Sequence, residues 1–522
     1  MNSVMNHSFS RVPKLKAQRS VFDRSFGHKT AFDADYLIPV MVDEVIPGDT
    51  MTIKMSAFAR MSSQLNKPMM DNLKLDSFFF FVPYRLIHTD WVKLMGERDD
   101  PDDDIDFVTP VCTAPAGGYT VGSLQDYVGI RPGVVLTHVN YVGRAYNLIW
   151  NRFFRDQNLQ DSVVVDKDAG PDDPADYVLL KRGKRHDYFT SGLSQPQKGD
   201  AATIPLGTTA PIVDATLGTG AHGVWKRNST GAAYPGGLDG RTDGSGRQTY
   251  DTVEVYYVPN STLRVDLTAA TAATVNSYRE AVQVQHLLER DARSGTRYGE
   301  ILSARFGVDN PDSRLQYPEY LGGSSADVII HPVVGTNQTG TGATSQGKLN
   351  AFATIAAHGH GFSKSFTEFG MIIGLVSVRA DINYQQGLHR MFTRRNRLDF
   401  FAPEFVHLGE QEVLKQEIFA AGTSADTEVF NYQERYADYR YKPSQISGIL
   451  RSDAASSLEV YHLAEDFPSC PPFNDTFIVQ QTPMDRILAV TGSPHFILDS
   501  YFKYICARPL PVFSVPGLMD HF

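Results

Sequence analysis

Met51, Ile53, Met55, Ala57 and Ala59 alternate with Thr52, Lys54, Ser56 and Phe58. This period of two predicts a strand with one face against a core. Phe78 to Val82 is an uninterrupted apolar run, which reads as a strand buried on both faces. Phe366 to Arg379 repeats that pattern around Gly370 and Gly374, and glycines inside a strand point to bulges or close backbone approach. Further strands are expected at Ala437 to Tyr441, Thr476 to Gln480 and Phe502 to Cys506. Helical spacing is rarer. Val142, Ala145, Tyr146, Ile149 and Phe153 form a stripe that predicts an amphipathic helix over Asn140 to Arg155. A second helix is expected to start at Ser277, with Ser277 and Glu280 as a capping box and Ala281, Val284 and Leu288 buried. Because these helices interrupt strands without alternating regularly with them, a parallel doubly wound sheet is disfavoured. A mainly β fold, a two-sheet antiparallel sandwich with long decorated loops, fits better.

Between these elements lie segments of another character. Gly207 to Tyr250 holds ten glycines and little periodicity, so it is expected to lie on the surface as an insertion. His331 to Lys348 has the same Gly/Thr-rich character on a smaller scale. Residues 467–522 mix eight prolines with nine Phe or Tyr residues, which suits an extended tail pinned by aromatic anchors. The expected organisation is a basic arm over 1–32, a body over 33–206 and 261–466, a surface insertion over 207–260, and the tail, packed on the body or on neighbours.

The chain has 522 residues, 42% of them hydrophobic, ample for a large core. Its net charge of −10 argues against generic nucleic-acid binding, but the charge is unevenly placed. Arg11, Lys14, Lys16, Arg19, Arg24 and Lys29 stand against Asp23 alone, giving an arm of +5 on a body of −15. A mobile cationic segment approaches phosphates without burying charge. Phe9, Phe22 and Phe26 lie among these cations, either to stack on unpaired bases or to anchor the arm to a protein surface. Tyr384, Arg390, Arg394, Arg395 and Arg397 form a second basic cluster, which would line an inner surface or make salt bridges between subunits.

Signatures of catalysis are sparse. Gly218, Gly220 and Gly223 form GxGxxG without a following helix, and Gly342 to Leu349 lacks the Ser or Thr of a phosphate-binding loop. Asp99, Asp100, Asp102, Asp103, Asp104 and Asp106 crowd eight positions, so Asp102, Asp104 and Asp106 are weak candidates for a cation in what is otherwise a solvated acidic loop. His358 and His360 lack a third nearby ligand. Cys112, Cys470 and Cys506 are too scattered for a metal site or a disulfide framework. The apolar run around Met371 to Val378 is shorter than the ~20 residues of a membrane span, so no membrane insertion is expected. No cofactor and no enzymatic role are expected, although a carboxylate pair of the glycosidase kind is defined in space and leaves no sequence signature.

Four blocks carry a resemblance: Ser20 to Asp49, Pro318 to Val328, Gln346 to Phe392 and Pro511 to Phe522. In this order they resemble the major capsid protein of the gokushoviruses, small single-stranded DNA phages within the Microviridae. The resemblance implies a single eight-stranded antiparallel jelly roll of the viral capsid type, with large loop insertions containing helices. It also implies a T=1 icosahedral shell of identical subunits around circular single-stranded DNA, present in the virion and assembled in the host cytoplasm. Residues 207–260 would form a threefold protrusion for attachment to a host cell-surface receptor. The arm would face inward, sharing DNA neutralisation with a small basic viral DNA-binding protein. The competing reading is a jelly-roll carbohydrate-binding protein or glycosidase, for which the cationic arm and aromatic tail are unnecessary; a soluble nucleic-acid-binding regulator is disfavoured by the −15 body.

Overall fold

The computed structural model describes residues 18–103, 106–202, 275–336 and 347–513, together with the backbone of six strands of two or three residues between 212 and 265. The chain divides into two compact units, Met1–Pro196 with Ala292–Phe522, and Gln197–Asp291.

The larger unit is built on nine strands: β1 (Ser20–Asp23), β2 (Phe26–Phe32), β3 (Ile38–Val45), β4 (Thr50–Met61), β5 (Leu73–Pro83), β6 (Glu319–Val334), β7 (Leu349–Ser365), β8 (Gly370–Ala380) and β9 (Phe496–Arg508). They form one antiparallel sheet. β1 and β2 follow one another along the same edge of β9, and the order continues β9, β4, β7, β6, β5, β8, β3. Nine segments therefore fill eight lanes. β6 changes partners along its length: Glu319 to Asp327 pairs with β5, and Val328 to Val334 pairs with β7. This exchange joins two halves that curl to face one another across a shared core.

Side chains of β4, β7 and β9 on one side of that core, including Met51, Ile53, Ile355 and Phe502, meet Phe79, Phe81, Ile372 and Val376 from β5 and β8. Phe79 lies 5.6 Å from Phe362 and Phe81 lies 4.6 Å from Phe366, ring centre to ring centre. The protein is thus mainly β, an antiparallel jelly roll with insertions, as the patterning and the resemblance led us to expect. The alternation of β4 is observed residue by residue, with Met51, Ile53, Met55, Ala57, Ala59 and Met61 buried. Gly370 and Gly374 behave as expected: a Cβ on Gly370 would lie 2.5 Å from the Val82 carbonyl oxygen, and the pairing of β8 with β3 is bulged between Gly374 and Leu375.

The opposite face of β5 and β8 is also covered. Phe80, Val82, Ile373 and Leu375 pack with Ala145, Tyr146 and Ile149 of helix α1 (Tyr141–Ile149), which continues as a π-helical turn over Trp150–Phe154. The expected helix is present over nearly its expected length, with its last turn π-helical, but its α-helical part is buried nearly all round instead of amphipathic. Its polar side chains meet backbone instead of water: Asn147 Nδ2 donates to the carbonyls of Val164 and Asp176 at 2.8 and 2.9 Å, and Trp150 Nε1 donates to that of Lys181 at 2.9 Å. Arg144 is 0% exposed. Its guanidinium pairs with Asp172 in a two-pronged contact, Nε to Oδ2 being 2.8 Å, and donates to the carbonyls of Ile87 and Asp168 at 3.0 and 2.8 Å.

Other elements differ from expectation. Ala437 to Tyr441 is not a strand but a helical turn, Ala437–Arg440, entered through Tyr436 at φ 62°. Thr476 to Gln480 is likewise a helical turn, Asp475–Ile478, whose Phe477 N–H donates to the capping Asn474 Oδ1 at 3.2 Å. Short runs do not distinguish the two periodicities; a left-handed residue starts the first turn and a side-chain cap the second. The helix expected from Ser277 is α2 (Val275–Arg293); Ser277 sits in its first turn, Ala281 and Leu288 are half-buried, and Val284 is exposed.

The ends of the chain are more deeply built in than the arm-and-tail division supposed. Of residues 1–32, Ser20 to Phe32 line the edge of β9; of residues 467–522, Phe496 to Arg508 is β9 itself, paired on both sides. Phe467, Phe473 and Phe477 pack with Tyr188, Phe189 and Phe430 of the same chain. In the smaller unit, three antiparallel ladders are nested: Ile212–Asp214 with Leu263–Val265, Trp225–Arg227 with Val255–Tyr257, and Arg241–Thr242 with Gln248–Thr249. Among the described residues no helix is long and apolar enough to cross a membrane.

Burial raises the pKa of Asp172, but the hydrogen bonds from Arg144 and Asn140 outweigh it and hold the carboxyl below its ordinary value. That contribution to stability is complete above the unfolded carboxylate value of about 3.9 and is lost as pH falls through the lower folded value. Asp172→Ala removes it at every pH and strands the Arg144 charge, so it should destabilise the fold at pH 7 by about 3–5 kcal/mol. Thermal unfolding of the two proteins checks this; equal midpoints would show that packing alone holds Arg144.

Candidate functional site

Of the six arm cations, Arg11, Lys14 and Lys16 lie outside the described residues, as does Phe9. The other three are placed by the strands at the edge of β9. Arg19 donates to Thr50 Oγ1 at 2.8 Å and to the Ala507 carbonyl at 3.3 Å. Arg24 pairs with Asp43, NH2 to Oδ1 being 3.0 Å, and its guanidinium stands 5.0 Å from the centre of the Tyr504 ring. Tyr504 closes the triad by donating to Asp43 Oδ2 at 2.6 Å. Burial lowers the Arg24 pKa, but the Asp43 hydrogen bond and charge more than restore it, and the net shift is upward. Lys29 forms a solvent-exposed pair with Asp499 at 2.5 Å. Phe26 stacks on Phe502 with ring centres 4.9 Å apart, so the anchoring alternative holds for this phenylalanine.

The second basic cluster is divided. Arg390 pairs with Glu417 at 3.0 Å, and Arg394 pairs with Asp438 while lying 4.3 Å over the Tyr439 ring. Arg395 and Arg397 present exposed side chains. Tyr384 does not join them; it is buried and donates to Asp187 Oδ2 at 2.6 Å.

Interleaved with these arginines is an apolar surface that the charge pattern had obscured. Phe392 is 67% and Leu398 64% exposed, and Met391, Phe400, Phe401 and Leu408 are also exposed. Aromatic residues, methionine and arginine together are the composition of protein–protein interface cores. The signal was present in the sequence as R-M-F-T-R-R-N-R-L-D-F-F over residues 390–401.

The remaining candidates have local explanations. In the acidic loop, Asp103 Oδ2 accepts the backbone N–H groups of Asp99 and Asp100 at 2.9 and 3.0 Å, and these bonds lower its pKa. Asp104 lies outside the described residues, and among those described no three His, Cys, Asp or Glu side chains, Asp102 and Asp106 included, converge on a metal position. His360 is buried, with Nδ1 2.7 Å from Ser77 Oγ, and Gly359 at φ 73° sits in the bulge separating it from the exposed His358. The two histidines do not share a ligand. The GxGxxG glycines lie outside the described residues.

Arg24 and Lys29 separate experimentally. Arg24→Ala should lower the unfolding midpoint measurably, since it leaves Asp43 without its cation. Lys29→Ala should leave the midpoint nearly unchanged, because exposed pairs contribute about 0–1 kcal/mol. Differential scanning fluorimetry reads both, and equal effects would contradict the assignment of Arg24 as a structural cation.

Comparison with known proteins places this arrangement in context. The family model described as capsid protein (F protein) matches residues 10–518. The chain is 45% identical to capsid protein VP1 of Bdellovibrio phage phiMH2K over 527 aligned positions, covering 99% of this chain and 98% of that protein. It is 39% identical to capsid protein VP1 of Chlamydia phage 1, with 99% and 98% covered, and 34% identical to capsid protein VP1 of Spiroplasma virus 4, with 94% of each covered. Matches along nearly the whole of each partner, on a curled antiparallel body with long insertions, show that the chain belongs to the capsid protein (F protein) family of the Microviridae, among the gokushovirus major capsid proteins.

Proposed function

We propose that this capsid protein assembles, as identical copies, into a T=1 icosahedral shell around circular single-stranded DNA, and that it acts structurally and not as an enzyme. The observation that carries the reading is the exposed Phe392, Leu398, Phe400 and Phe401 surface, set among arginines on a chain whose relatives are capsid proteins. Each square ångström of apolar surface removed from water contributes about 25 cal/mol. Symmetry repeats one such contact around a closed particle, so modest interfaces suffice.

The DNA reading rests on charge. An acidic chain with Arg11, Lys14, Lys16 and Arg19 clustered near one end suits contact with phosphates at that end alone, with a small basic viral protein sharing the neutralisation. Residues 207–260, within the separate smaller unit, suit an outward insertion for attachment to a host surface receptor. Assembly in the host cytoplasm completes the proposal.

Electron microscopy of the expressed protein should show uniform closed shells. Phe392→Ser with Leu398→Ser should reduce the yield of closed shells by at least tenfold while leaving the unfolding midpoint unchanged; monomers that cleave sugars, or full assembly of the double variant, would overturn the reading. Lys14, Lys16 and Arg19 changed together to Ala should lower DNA retention and flatten its salt dependence, by a slope of about 0.7 for each phosphate no longer neutralised. Unchanged retention would remove the DNA role of the arm and leave the shell role standing.

A further inference from the structure

A cavity of about 960 Å³ in the larger unit lies between the outer face of β5, the π-helical turn, the segment 182–186 and residues 293–300. Its walls combine basic and aromatic side chains with three carboxylates, Asp156, Glu300 and Asp312. Arg155, Arg182, Arg185, Arg297 and Arg379 line it together with Lys184, and so do the rings of Phe78, Phe80, Phe153, Phe154 and Tyr320.

Carboxylates stand behind most of these cations. Asp76 serves both Arg182 and Arg379, Asp381 lies 3.0 Å from Arg185, Glu465 lies 2.6 Å from Lys184, and Glu300 lies 2.9 Å from Arg297. Arg155 is different. Among the described residues it has no carboxylate within ion-pairing distance; one NH group donates to the Gln160 carbonyl at 2.8 Å. The buried Nε atoms of Arg155, Arg185 and Arg297 have no hydrogen-bond partner. Guanidinium groups offer five donors each, and leaving them unmatched in a partly buried site is costly. The cations also oppose one another: burial and then Arg297 lower the Arg155 pKa, while burial and then Arg182 push Arg379 down to about 9. An acceptor-rich anion in the cavity would relieve this mutual opposition of the cations.

Aromatic geometry narrows the anion. Phe153 and Tyr320 pack on either side of Phe80, with ring centres 4.8 and 5.4 Å away, and Tyr320 remains 47% exposed. Exposed rings beside a guanidinium fork offer a stacking surface next to a phosphate clamp. Cavities of roughly 300–1,000 Å³ bury ligands of nucleotide size and above. We infer that this cavity holds a short stretch of single-stranded polynucleotide, with a phosphate on Arg155 and Arg297 and an unstacked base against Phe153 or Tyr320. The inference rests on the reading of the protein as a shell around single-stranded DNA, and adds a second, folded DNA contact distinct from the arm.

The test uses the full-length chain before assembly and a fluorescent eight-residue oligodeoxythymidylate, read by anisotropy at several salt concentrations. It is run both with the native arm and in the Lys14, Lys16, Arg19 alanine background, so that arm binding is subtracted. Arg155→Gln with Arg297→Gln should weaken binding at least tenfold and reduce the salt slope in both backgrounds. Phe153→Leu should weaken binding several-fold with the salt slope unchanged, a separation that a merely structural role would not produce. Should the glutamine pair fail to fold, Arg155→Lys with Arg297→Lys keeps the charge, and a loss of affinity there still reports the lost fork. Unaltered affinity and slope in folded variants would overturn the inference, as would displacement of the oligonucleotide by a peptide of residues 511–522, which would make the cavity a protein-docking site. Shell formation, scored separately by microscopy, distinguishes the outcomes: shells without a cavity effect sink this site alone, whereas cavity binding without shells sinks the assembly reading alone.

Discussion

Two adjacent strands, β5 and β8, are buried on both faces, and the rest of the larger unit is arranged to satisfy them. They pair along their full lengths, Leu73 to Pro83 against Gly370 to Ala380. Leu73, Leu75, Phe79 and Phe81 of β5 enter the jelly-roll core, and Phe78, Phe80 and Val82 enter the layer under α1. A slip of one residue would exchange both sets at once, so register is determined from two sides. The close approach of Phe81 and Phe79 to Gly370 and Gly374 excludes a side chain at either glycine. Covering the outer face then requires a helix with no wet side. Its Arg144 and Asn147 are buried as a result and take backbone carbonyls and Asp172 in place of solvent.

Much of this was legible because strand burial leaves a period-two trace. The alternation of β4, the doubly apolar run of β5 and the glycines of β8 each report directly on local surroundings. What escaped reading has physical reasons. The first half of β6, E-Y-L-G-G-S-S-A-D, is too polar and glycine-rich to read as a strand joining two halves of a sheet, and its change of partners is a property of the sheet and not of the segment. The turns at Ala437–Arg440 and Asp475–Ile478 depend on one capping or left-handed residue each. The strand expected at Phe502 to Cys506 is the second half of β9; its first half was passed over because prolines and aromatics on either side dominated the composition, although Phe496, Leu498, Phe502, Tyr504 and Cys506 carry the alternation.

The arginines show how little a charge count says about role. Arg144 is a sealed structural ion, Arg24 a stacked rivet between a strand edge and Asp43, and Arg155 a cation lining a cavity without a carboxylate partner among the described residues and with its Nε unmatched. All three look alike in sequence. What separates them is a neighbour far along the chain: Asp43 and Tyr504 meet around Arg24 although 461 positions separate them. The sequence pattern located the cations of the arm, and only the fold distinguishes those that fasten the protomer from those left to meet another molecule.

The position of β9 also bears on the order in which the sheet is completed. This strand lies between β4 and the β1–β2 edge, so β1, β2 and β4 wait for residues 496–508 before their hydrogen bonds are complete. Contacts of such sequence separation form late and slowly. A nascent chain therefore leaves the ribosome with its sheet open, and a polypeptide broken off before the last strand exposes the edges of β4 and of β1–β2 in place of a finished wall. Closure by β9 is thus the last step in completing the protomer's wall, and sheet edges left open without it are templates for misplaced pairing.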